Sequence, residues 1–384
     1  MGKKLNEIAQ ELKNSNKKVQ LIYAFNGTGK TRLSKKFKAL VSPEREIDDN
    51  SLVNKKILYY NAFTEDLFYW DNDLEYDDKP KLKIHPNAFT KWVFEDQGQD
   101  SNVIRFFQHY VDGKLTPNFN ARYTSNDKDG KDVTINAFTE VTFSYGRGDD
   151  ESSDNIKISK GEESCFIWSI FYSLLDQVVN VLNVVDESDR ETDQFDNLEY
   201  VFIDDPVTSL DENHLIELAV NLAKLIKSSD FKQNNVKFII TTHNPLFYNV
   251  IYNEVGNKNS YMFGKNEDGS YDLDTRDGDS NKNFSYHHYL IGIIKQAIDE
   301  NKIERYHFTL LRNLYEKTAG FLGFPRWSEL LPEDKKLYYN RIIQFTSHST
   351  LAIEVVTEPT PQEKQTVKIL FEHLINNYNF WKEA

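Results

Sequence analysis

The chain has 384 residues, with 46 Lys and Arg against 60 Asp and Glu, so its formal net charge is −14. Hydrophobic residues make up 39% and aromatic residues 14%, which is enough to build a core and excludes wholesale disorder. The single Cys165 excludes an internal disulfide framework and a cysteine-cluster zinc site. We find no apolar run near the roughly 18 residues that span a bilayer, and no apolar signal-peptide core. We therefore expect a soluble, cytoplasmic protein.

The first half of the chain predicts strands, one helix and an acidic, turn-rich segment. An apolar run over 18–24 predicts a buried strand, and 31–40 has helical spacing. A short strand is predicted at 56–60. The segment 70–157 contains loop-forming runs between short β-branched and aromatic stretches, which indicates antiparallel strands.

The second half changes from α/β to helical patterning. One long apolar helix is predicted over 161–184, and the apolar runs at 200–203 and 236–240 are typical of interior parallel strands. Beyond residue 286 the pattern is helical. We predict an α/β core with an antiparallel β lobe over 1–264, followed by an all-α region over 265–384.

Residues 24–31, Ala-Phe-Asn-Gly-Thr-Gly-Lys-Thr, match the P-loop pattern with Ala in place of the first glycine. They lie between the first strand and the first helix, as a phosphate-binding loop requires, because its backbone N–H groups and the helix N-terminus cradle phosphates. Lys30 would reach the β- and γ-phosphates, and the Thr31 hydroxyl would ligate Mg²⁺. The residues assigned to this nucleotide site are Ala24, Asn26, Gly27, Thr28, Gly29, Lys30 and Thr31.

The apolar run at 200–203 ends in Asp204 and Asp205. This placement puts Asp204 at the carboxyl end of a strand, where it can hold Mg²⁺ opposite the P-loop. Asp205 comes next and can orient or deprotonate the attacking water. Alone, such a run carries little information, but beside a P-loop it predicts the acidic half of a nucleotide site.

Three more segments follow the P-loop in the order of an ABC ATPase, which the chain resembles. Residues 158–162 resemble the signature motif at the start of the long helix, 209–211 resemble the D-loop, and 241–243 resemble the switch-histidine segment. The resemblance implies a head-to-tail dimer in which each signature meets the other subunit's nucleotide. It assigns to the nucleotide Ser159, Gly161, Glu162, Asp211 and His243. Most ABC ATPases have Glu where Asp205 stands, and the shorter carboxylate favours a switch over a motor.

In the helical region, Arg312 and Glu316 are spaced to share one helix face, and His348 follows near Arg341. Such side chains suit metal-free RNA cleavage to a 2′,3′-cyclic phosphate and a 5′-OH. Glu or His can exchange protons with the 2′-OH and the leaving oxygen, and Arg can stabilise the transition-state charge. Composition alone favours a surface ion pair worth about 0.3–0.5 kcal/mol and an unrelated histidine.

The whole chain, from Met-Gly-Lys-Lys-Leu-Asn-Glu-Ile-Ala-Gln at its start through the ATPase motifs to its end, resembles the PrrC family of tRNA-lysine anticodon nucleases. The resemblance implies that Arg312, Glu316 and His348 are catalytic. Arg341 precedes His348 by six intervening residues, which fits the Arg-x₄₋₆-His pattern of HEPN ribonucleases. It is therefore a second candidate for the catalytic arginine.

The segment 276–286 resembles the peptide with which this family reads the lysine anticodon, with Asp279 near the wobble base. It alternates charge with aromatic rings, which suits single-stranded RNA, although an ordinary linker has a similar composition. The residues assigned to the substrate are Gly278, Asp279, Ser280, Asn281, Lys282, Phe284 and Tyr286. Residues 281–350 contain ten Lys and Arg and seven Asp and Glu, a net charge of +3 in an acidic chain.

The resemblance also implies control by GTP or ATP and by dTTP. It implies an antiviral toxin kept latent by a type I restriction–modification complex, with its methyltransferase, specificity and restriction subunits, and released by a phage-encoded activator. Two alternatives remain open. One is a DNA-repair ABC ATPase of RecF or SMC-like type with a structural helical bundle. The other is a nucleotide-switched scaffold for a separate toxin.

Overall fold

The fold is described from a computed structural model of the chain. The described residues are 2–42, 56–71, 80–126, 131–146, 152–153, 155–206, 210, 212–256, 260–266, 268–276, 286–332, 335–347 and 358–378. The chain divides into two compact units, Met1–Gly278 and Asp279–Ala384. The sequence suggested a boundary after residue 264. The division falls later because the strand at Tyr271–Arg276 pairs with the strand before it.

The described helices of the first unit are α1 (Leu5–Asn14), α2 (Lys30–Val41), α3 (Ala88–Lys91), α4 (Asp100–Tyr110), α5 (Lys160–Leu182), α6 (Glu212–Ser228), α7 (Phe231–Asn234) and α8 (Pro245–Val255). Its strands are β1 (Val19–Tyr23), β2 (Ile57–Tyr60), β3 (Phe68–Asp71), β4 (Lys81–Ile84), β5 (Leu115–Phe119), β6 (Tyr123–Asn126), β7 (Asp132–Ile135), β8 (Glu140–Gly146), β9 (Ser152–Ser153), β10 (Tyr200–Asp204), β11 (Lys237–Thr242), β12 (Ser260–Lys265) and β13 (Tyr271–Arg276). Short helical turns cover Ala62–Leu67, Trp92–Asp96 and Glu187–Asp189.

A six-stranded sheet with the order β13-β12-β1-β11-β10-β2 forms the centre of this unit. Neighbouring strands from β12 to β2 run parallel, and β13 pairs antiparallel with β12. All five residues of β1 and of β10 are buried, as expected for strands covered on both faces. The predicted α/β class is therefore confirmed, with a mixed sheet.

The segment after β2 contains a second sheet, which is antiparallel. Its order is β3-β4-β8-β5, with β9 beside β8, and β6 and β7 form a separate hairpin. The rings of Phe107, Phe143 and Phe166 lie within 6 Å of one another between this sheet and α5. Aromatic packing thus joins the antiparallel sheet to α5.

Helix α5 corrects one expectation from the sequence. Among the helices in the described part of the chain, it alone is long and apolar enough to cross a membrane, with a mean hydropathy of 1.5 over an 18-residue window. Of that window, 83% is buried inside the protein. Such burial is typical of a core helix, and its apolar length is explained by contact with neighbours on nearly every side.

The described residues of the second unit form α9 (Tyr286–Asp299), α10 (Arg305–Leu322), α11 (Lys335–Ser347) and α12 (Pro361–Tyr378), with a 3₁₀ turn at Trp327–Leu330. Helix α10 contributes Phe308, Leu311, Leu314 and Tyr315 to a fully buried core. The Tyr315 hydroxyl donates to the Leu370 carbonyl of α12 at 2.9 Å. The buried face of α10 fixes the opposite face toward solvent.

Candidate nucleotide and nuclease sites

The sheet order brings three predicted motifs to one edge. Strands β1, β10 and β11 lie side by side in parallel, with β11 in the middle. Each is followed directly by one motif: the P-loop after β1, Asp205 after β10 and His243 after β11. The carboxyl ends of parallel strands share one sheet edge, so the motifs converge.

The P-loop backbone requires glycine at two positions. Gly27 has φ +81° and Gly29, the N-cap of α2, has φ +109°, a region that side chains rarely adopt. Ala24 does not need this freedom, because it continues β1, is fully buried, and donates its N–H to the Thr242 carbonyl at 2.9 Å. This position explains why alanine can replace the first glycine of the pattern.

The Lys30 ammonium joins the P-loop to the acidic strand end. Its Nζ donates to the Ala24 carbonyl and to Asn26 Oδ1, each at 3.2 Å. It also lies 3.4 Å from Asp205 Oδ2. Both partners of this ion pair are largely buried, so the charges interact in a medium that screens them weakly.

Asp204 is fully buried beneath the P-loop helix. It accepts hydrogen bonds from Thr241 Oγ1 at 2.6 Å and from Ser34 Oγ at 3.2 Å. Burial, together with the neighbouring charge of Asp205, raises the pKa of this carboxyl, although the hydroxyls of Thr241, Thr31 and Ser34 act against the rise. A buried carboxylate beside the Thr31 hydroxyl is an oxygen donor set of the kind that Mg²⁺ prefers.

Asp205 and His243 form a coupled pair at the same edge. His243 Nδ1 lies 2.5 Å from Asp205 Oδ2, and Asp205 has a left-handed backbone with φ +55°. Burial opposes ionisation, but the His243 hydrogen bond and the Lys30 charge outweigh it and lower the pKa of Asp205. Asp205 is therefore an ionised acceptor that holds the His243 ring in place.

The neighbourhood of His243 is built by its own sequence. Asn244 caps α8, because its Oδ1 accepts from the N–H groups of Leu246 and Phe247. The Asn244 N–H donates to Thr242 Oγ1 at 3.0 Å. These local bonds turn the chain sharply after β11, so His243 stays at the sheet edge.

The signature residues form a capping box at the start of α5. Ser159 Oγ accepts from the Glu162 N–H at 3.3 Å, and Glu162 Oε2 accepts from the Ser159 N–H at 2.6 Å. Lys160, where a second glycine is usual, pairs with the buried Glu163 at 2.8 Å. Gly161 lies in the first turn. Ser159 and Glu162 thus hold a structural role within their own subunit.

Sequence reasoning missed two side chains of this site, Ser34 and Thr241. Ser34 stands one helical turn after Lys30 and also hydrogen-bonds the Tyr59 hydroxyl of β2 at 2.7 Å. Thr241 is the last residue but one of β11. The periodicity of α2 and β11 could have placed both toward Asp204, since residues i and i+4 share a helix face.

The nuclease candidates occupy the second unit. On α10, Arg312 Nε donates to Glu316 Oε1 at 2.7 Å, with 37% and 39% of their side chains exposed. The Arg312 guanidinium lies 5.9 Å from the Trp327 ring centroid. Arg341 on α11 donates from Nη1 to Thr366 Oγ1 of α12 at 3.0 Å. Arg312 and Glu316 are thus paired, whereas Arg341 bridges two helices.

Several predicted residues lie outside the described residues: Asp211, Gly278, Asp279, Ser280, Asn281, Lys282, Phe284 and His348. Tyr286 is the first residue of α9. The site assignments for these residues stay predictions.

Comparison with known proteins decides the family. An anticodon nuclease from Escherichia coli is 59% identical over 409 aligned residues, which cover 100% of this chain and 99% of that protein. The chain belongs to the anticodon nuclease family. The resemblance to PrrC-type anticodon nucleases is therefore confirmed.

No protein-family model matches the chain. A solved SmcHead bound to the C-winged helix domain of ScpA aligns with 70% of this chain and 93% of its own, with a TM-score of 0.33 and 11% identity.

Proposed function

We propose that this protein is a nucleotide-regulated nuclease that cleaves tRNA-Lys in the anticodon loop. The observation that carries the proposal is the 59% identity to an anticodon nuclease, which extends over the whole chain. The match covers both units, which supports a joint role for the candidate nucleotide site and the candidate nuclease pair.

The cleavage chemistry we propose is transesterification within the RNA. Glu316 or His348 takes the proton of the 2′-OH, the 2′-oxygen bonds to the adjacent phosphorus, and the 5′-oxygen leaves with a proton from the other residue. Arg312, held by its hydrogen bond to Glu316, stabilises the added negative charge. The products are a 2′,3′-cyclic phosphate and a 5′-OH, and no metal ion is required.

The nucleotide site would act as the regulatory half. Lys30 and the P-loop backbone would bind the phosphates of GTP or ATP, and Thr31 and Asp204 would hold Mg²⁺, which neutralises phosphate charge when bound. Ser159, Gly161, Glu162 and Asp211 would complete the site across a head-to-tail dimer of this chain. Support comes from the convergence of three motifs at one sheet edge. Nucleotide state would then bias the dimer and through it the nuclease, with dTTP as a second regulator.

The resemblance to PrrC-type anticodon nucleases supports a proposal for the biological role. We propose an anti-phage toxin that a type I restriction–modification complex keeps latent and that a phage-encoded product activates. Residues 278–286, with Asp279 at the wobble base, would read the anticodon.

The deciding experiment maps new RNA 5′ ends in cells that express the chain alone. The same mapping is then carried out on tRNA incubated with purified protein and GTP. We expect 5′-OH ends in the anticodon loop of tRNA-Lys with the unchanged protein. Lys30→Ala, Glu316→Gln and His348→Ala should abolish these ends. Glu372→Gln, an exposed carboxylate on α12, is the matched control and should retain them. Ends in another tRNA would overturn the specificity, and the absence of ends with purified protein and GTP would overturn the nuclease itself.

A further inference from the structure

A cavity of about 390 Å³ lies beside the Arg312–Glu316 pair within the second unit. Glu316 itself contributes to the wall, so the cavity and the candidate nuclease pair are contiguous. The remaining wall consists mainly of the end of α10, the loop after it and the following 3₁₀ turn, with Tyr339 from α11, and includes Phe324, Arg326 and Trp327. Its volume lies within the range of small-molecule sites.

The cavity wall is aromatic and partly open to solvent. The Trp327 and Tyr339 rings stack with centroids 5.3 Å apart and an interplanar angle of 27°. Tyr315 packs against Trp327 from the core side at 6.1 Å, which fixes the indole. Tyr339 and Phe324 remain 37% and 39% exposed. A rigid ring backed by the core, next to exposed rings, is the arrangement that binds planar bases by stacking.

The charge around these rings is positive. Glu316 is already paired with Arg312, whose guanidinium faces the Trp327 ring. Arg326 is exposed, and its guanidinium makes no ion pair with any residue in the described part of the chain. An aromatic wall with an unneutralised guanidinium matches a base together with its phosphate. An apolar segment of a protein partner would leave that charge without a counterpart.

We propose that this cavity holds one unstacked base of the RNA substrate, next to the phosphate that is cleaved. This inference rests on the proposed nuclease function. Tyr339, backed by Trp327, forms the stacking surface, and Arg326 contacts the flanking phosphate. The physical reason is geometric. The 2′-oxygen can attack the adjacent phosphorus in line with the departing 5′-oxygen only when the nucleotide leaves the regular stack. Capture of the base beside Glu316 therefore pre-orients the reacting atoms.

The test compares Tyr339→Leu with Tyr339→Phe in the purified full-length protein with GTP and an RNA stem-loop that carries the tRNA-Lys anticodon loop. Loss of one stacked base should lower kcat/KM about 10-fold or more, with a higher KM from the lost contact and a lower kcat from the lost orientation, whereas Phe keeps the ring and the normal kcat/KM. Leu337→Ala is the matched control, because Leu337 is 48% exposed on the same helix and lies outside the cavity wall. A wild-type kcat/KM for Tyr339→Leu would overturn the proposal.

Abasic RNAs identify the captured base. At one position of the loop, removal of the base should lower the affinity of the wild-type protein for the RNA. The same removal should not lower the affinity of Tyr339→Leu any further, because the abasic site and the substitution remove the same contact. Losses that multiply at every position would contradict the proposal. Arg326→Gln gives an independent measure, since loss of one phosphate contact should reduce the salt slope of binding by about 1; an unchanged slope would remove Arg326 from the proposal.

Failure of the nuclease function is distinguishable from failure of the cavity. If wild type leaves the RNA intact, the proposed function falls, and the cavity is then judged by affinity for the same RNA with a 2′-deoxy scissile nucleotide. A weaker affinity of Tyr339→Leu than of Tyr339→Phe supports base capture, and equal affinities overturn it.

Discussion

Asp204 and Asp205 are adjacent in the chain, yet their carboxyl groups have pKa values shifted in opposite directions. Asp204 is fully buried and its strongest influence is burial, which raises its pKa. Asp205 is also buried, but His243 and Lys30 reverse that effect. Paired groups with divergent pKa values divide their chemical roles. Asp204 is suited to bind a cation, and Asp205 is suited to remain ionised beside His243 and Lys30.

Replacement of Asp204 by Asn should raise the stability of the protein at neutral pH, because it removes a buried negative charge. The pKa of Asp204 is higher in the folded protein than the usual value for the unfolded chain. Its contribution to the free energy of unfolding is fully present at a pH below the unfolded pKa, and it is lost as the pH rises through the pKa of the folded protein. We therefore expect Asp204→Asn, without nucleotide, to melt a few degrees above wild type near neutral pH, where about 1 kcal/mol corresponds to roughly 2–4 °C. The difference should shrink in acid.

Thermal melts with and without Mg²⁺–GTP check this prediction. Asp204→Asn should lose the ligand-induced rise in Tm. Asp176→Asn is the control, because burial also raises the pKa of Asp176 on α5, away from the P-loop. It should keep the response to Mg²⁺–GTP. A full ligand response in Asp204→Asn would remove this carboxylate from the nucleotide site.

The buried pair of Lys30 and Asp205 should behave as a coupled unit. Lys30→Met leaves a buried carboxylate without its cation, which should lower the free energy of unfolding by on the order of 3 kcal/mol. Addition of Asp205→Asn should restore part of that loss. Urea unfolding of wild type, the two single variants and the double variant measures the coupling energy between Lys30 and Asp205. Purely additive losses of stability would contradict the coupling.

The pH dependence of Asp205 has the opposite sign to that of Asp204. The pKa of Asp205 is lower in the folded protein than the usual value for the unfolded chain. The carboxylate therefore stabilises the fold at a pH above the unfolded pKa, and this stabilisation is lost as the pH falls through the pKa of the folded protein. His243→Ala removes the strongest interaction that lowers the pKa. We expect this variant to lose stability relative to wild type at neutral pH, with a smaller difference in strong acid. Melting curves across pH provide the measurement, and a constant difference would count against the pair.

Ser159 combines a helix cap with a predicted phosphate contact, and two substitutions separate these roles. Ser159→Ala removes the cap and should lower stability by about 1 kcal/mol. Ser159→Asp keeps a good cap but places a negative charge against the phosphates. We expect Ser159→Asp to melt like wild type yet hydrolyse GTP slowly. If the rate of GTP hydrolysis decreases only as far as the Tm decreases in both variants, Ser159 has only the capping role.

The exposed pair of Arg312 and Glu316 should matter for cleavage far more than for stability. Because about a third of each side chain is exposed, removal of the pair should alter stability by only about 0.3–0.5 kcal/mol. Loss of acid–base chemistry in Glu316→Gln should slow RNA cleavage by about 10²–10⁴-fold. Glu300→Gln disrupts a comparable surface ion pair with Lys302 and should preserve cleavage. Equal effects in both variants would assign Arg312 and Glu316 a surface role.

Local patterns in the sequence determined much of the candidate nucleotide site. The strand at β1, the P-loop and α2 follow from apolar spacing and glycine positions within a few residues of one another. The acidic end of β10 and His243 after β11 also lie at strand ends that the sequence predicts. These features are local because strand and helix periodicity depends on neighbouring residues.

Only the tertiary structure decided which of these side chains interact. It placed Thr241 on Asp204, His243 on Asp205, and Lys30 between the P-loop and the acidic strand end. It also added β13 to the sheet beyond the expected boundary and set Trp327 beside Arg312. Such relationships depend on strand order and helix packing between distant segments, which no local periodicity contains. The sequence by itself thus determined the chemical groups, and the packing decided their partners, their burial and their pKa values.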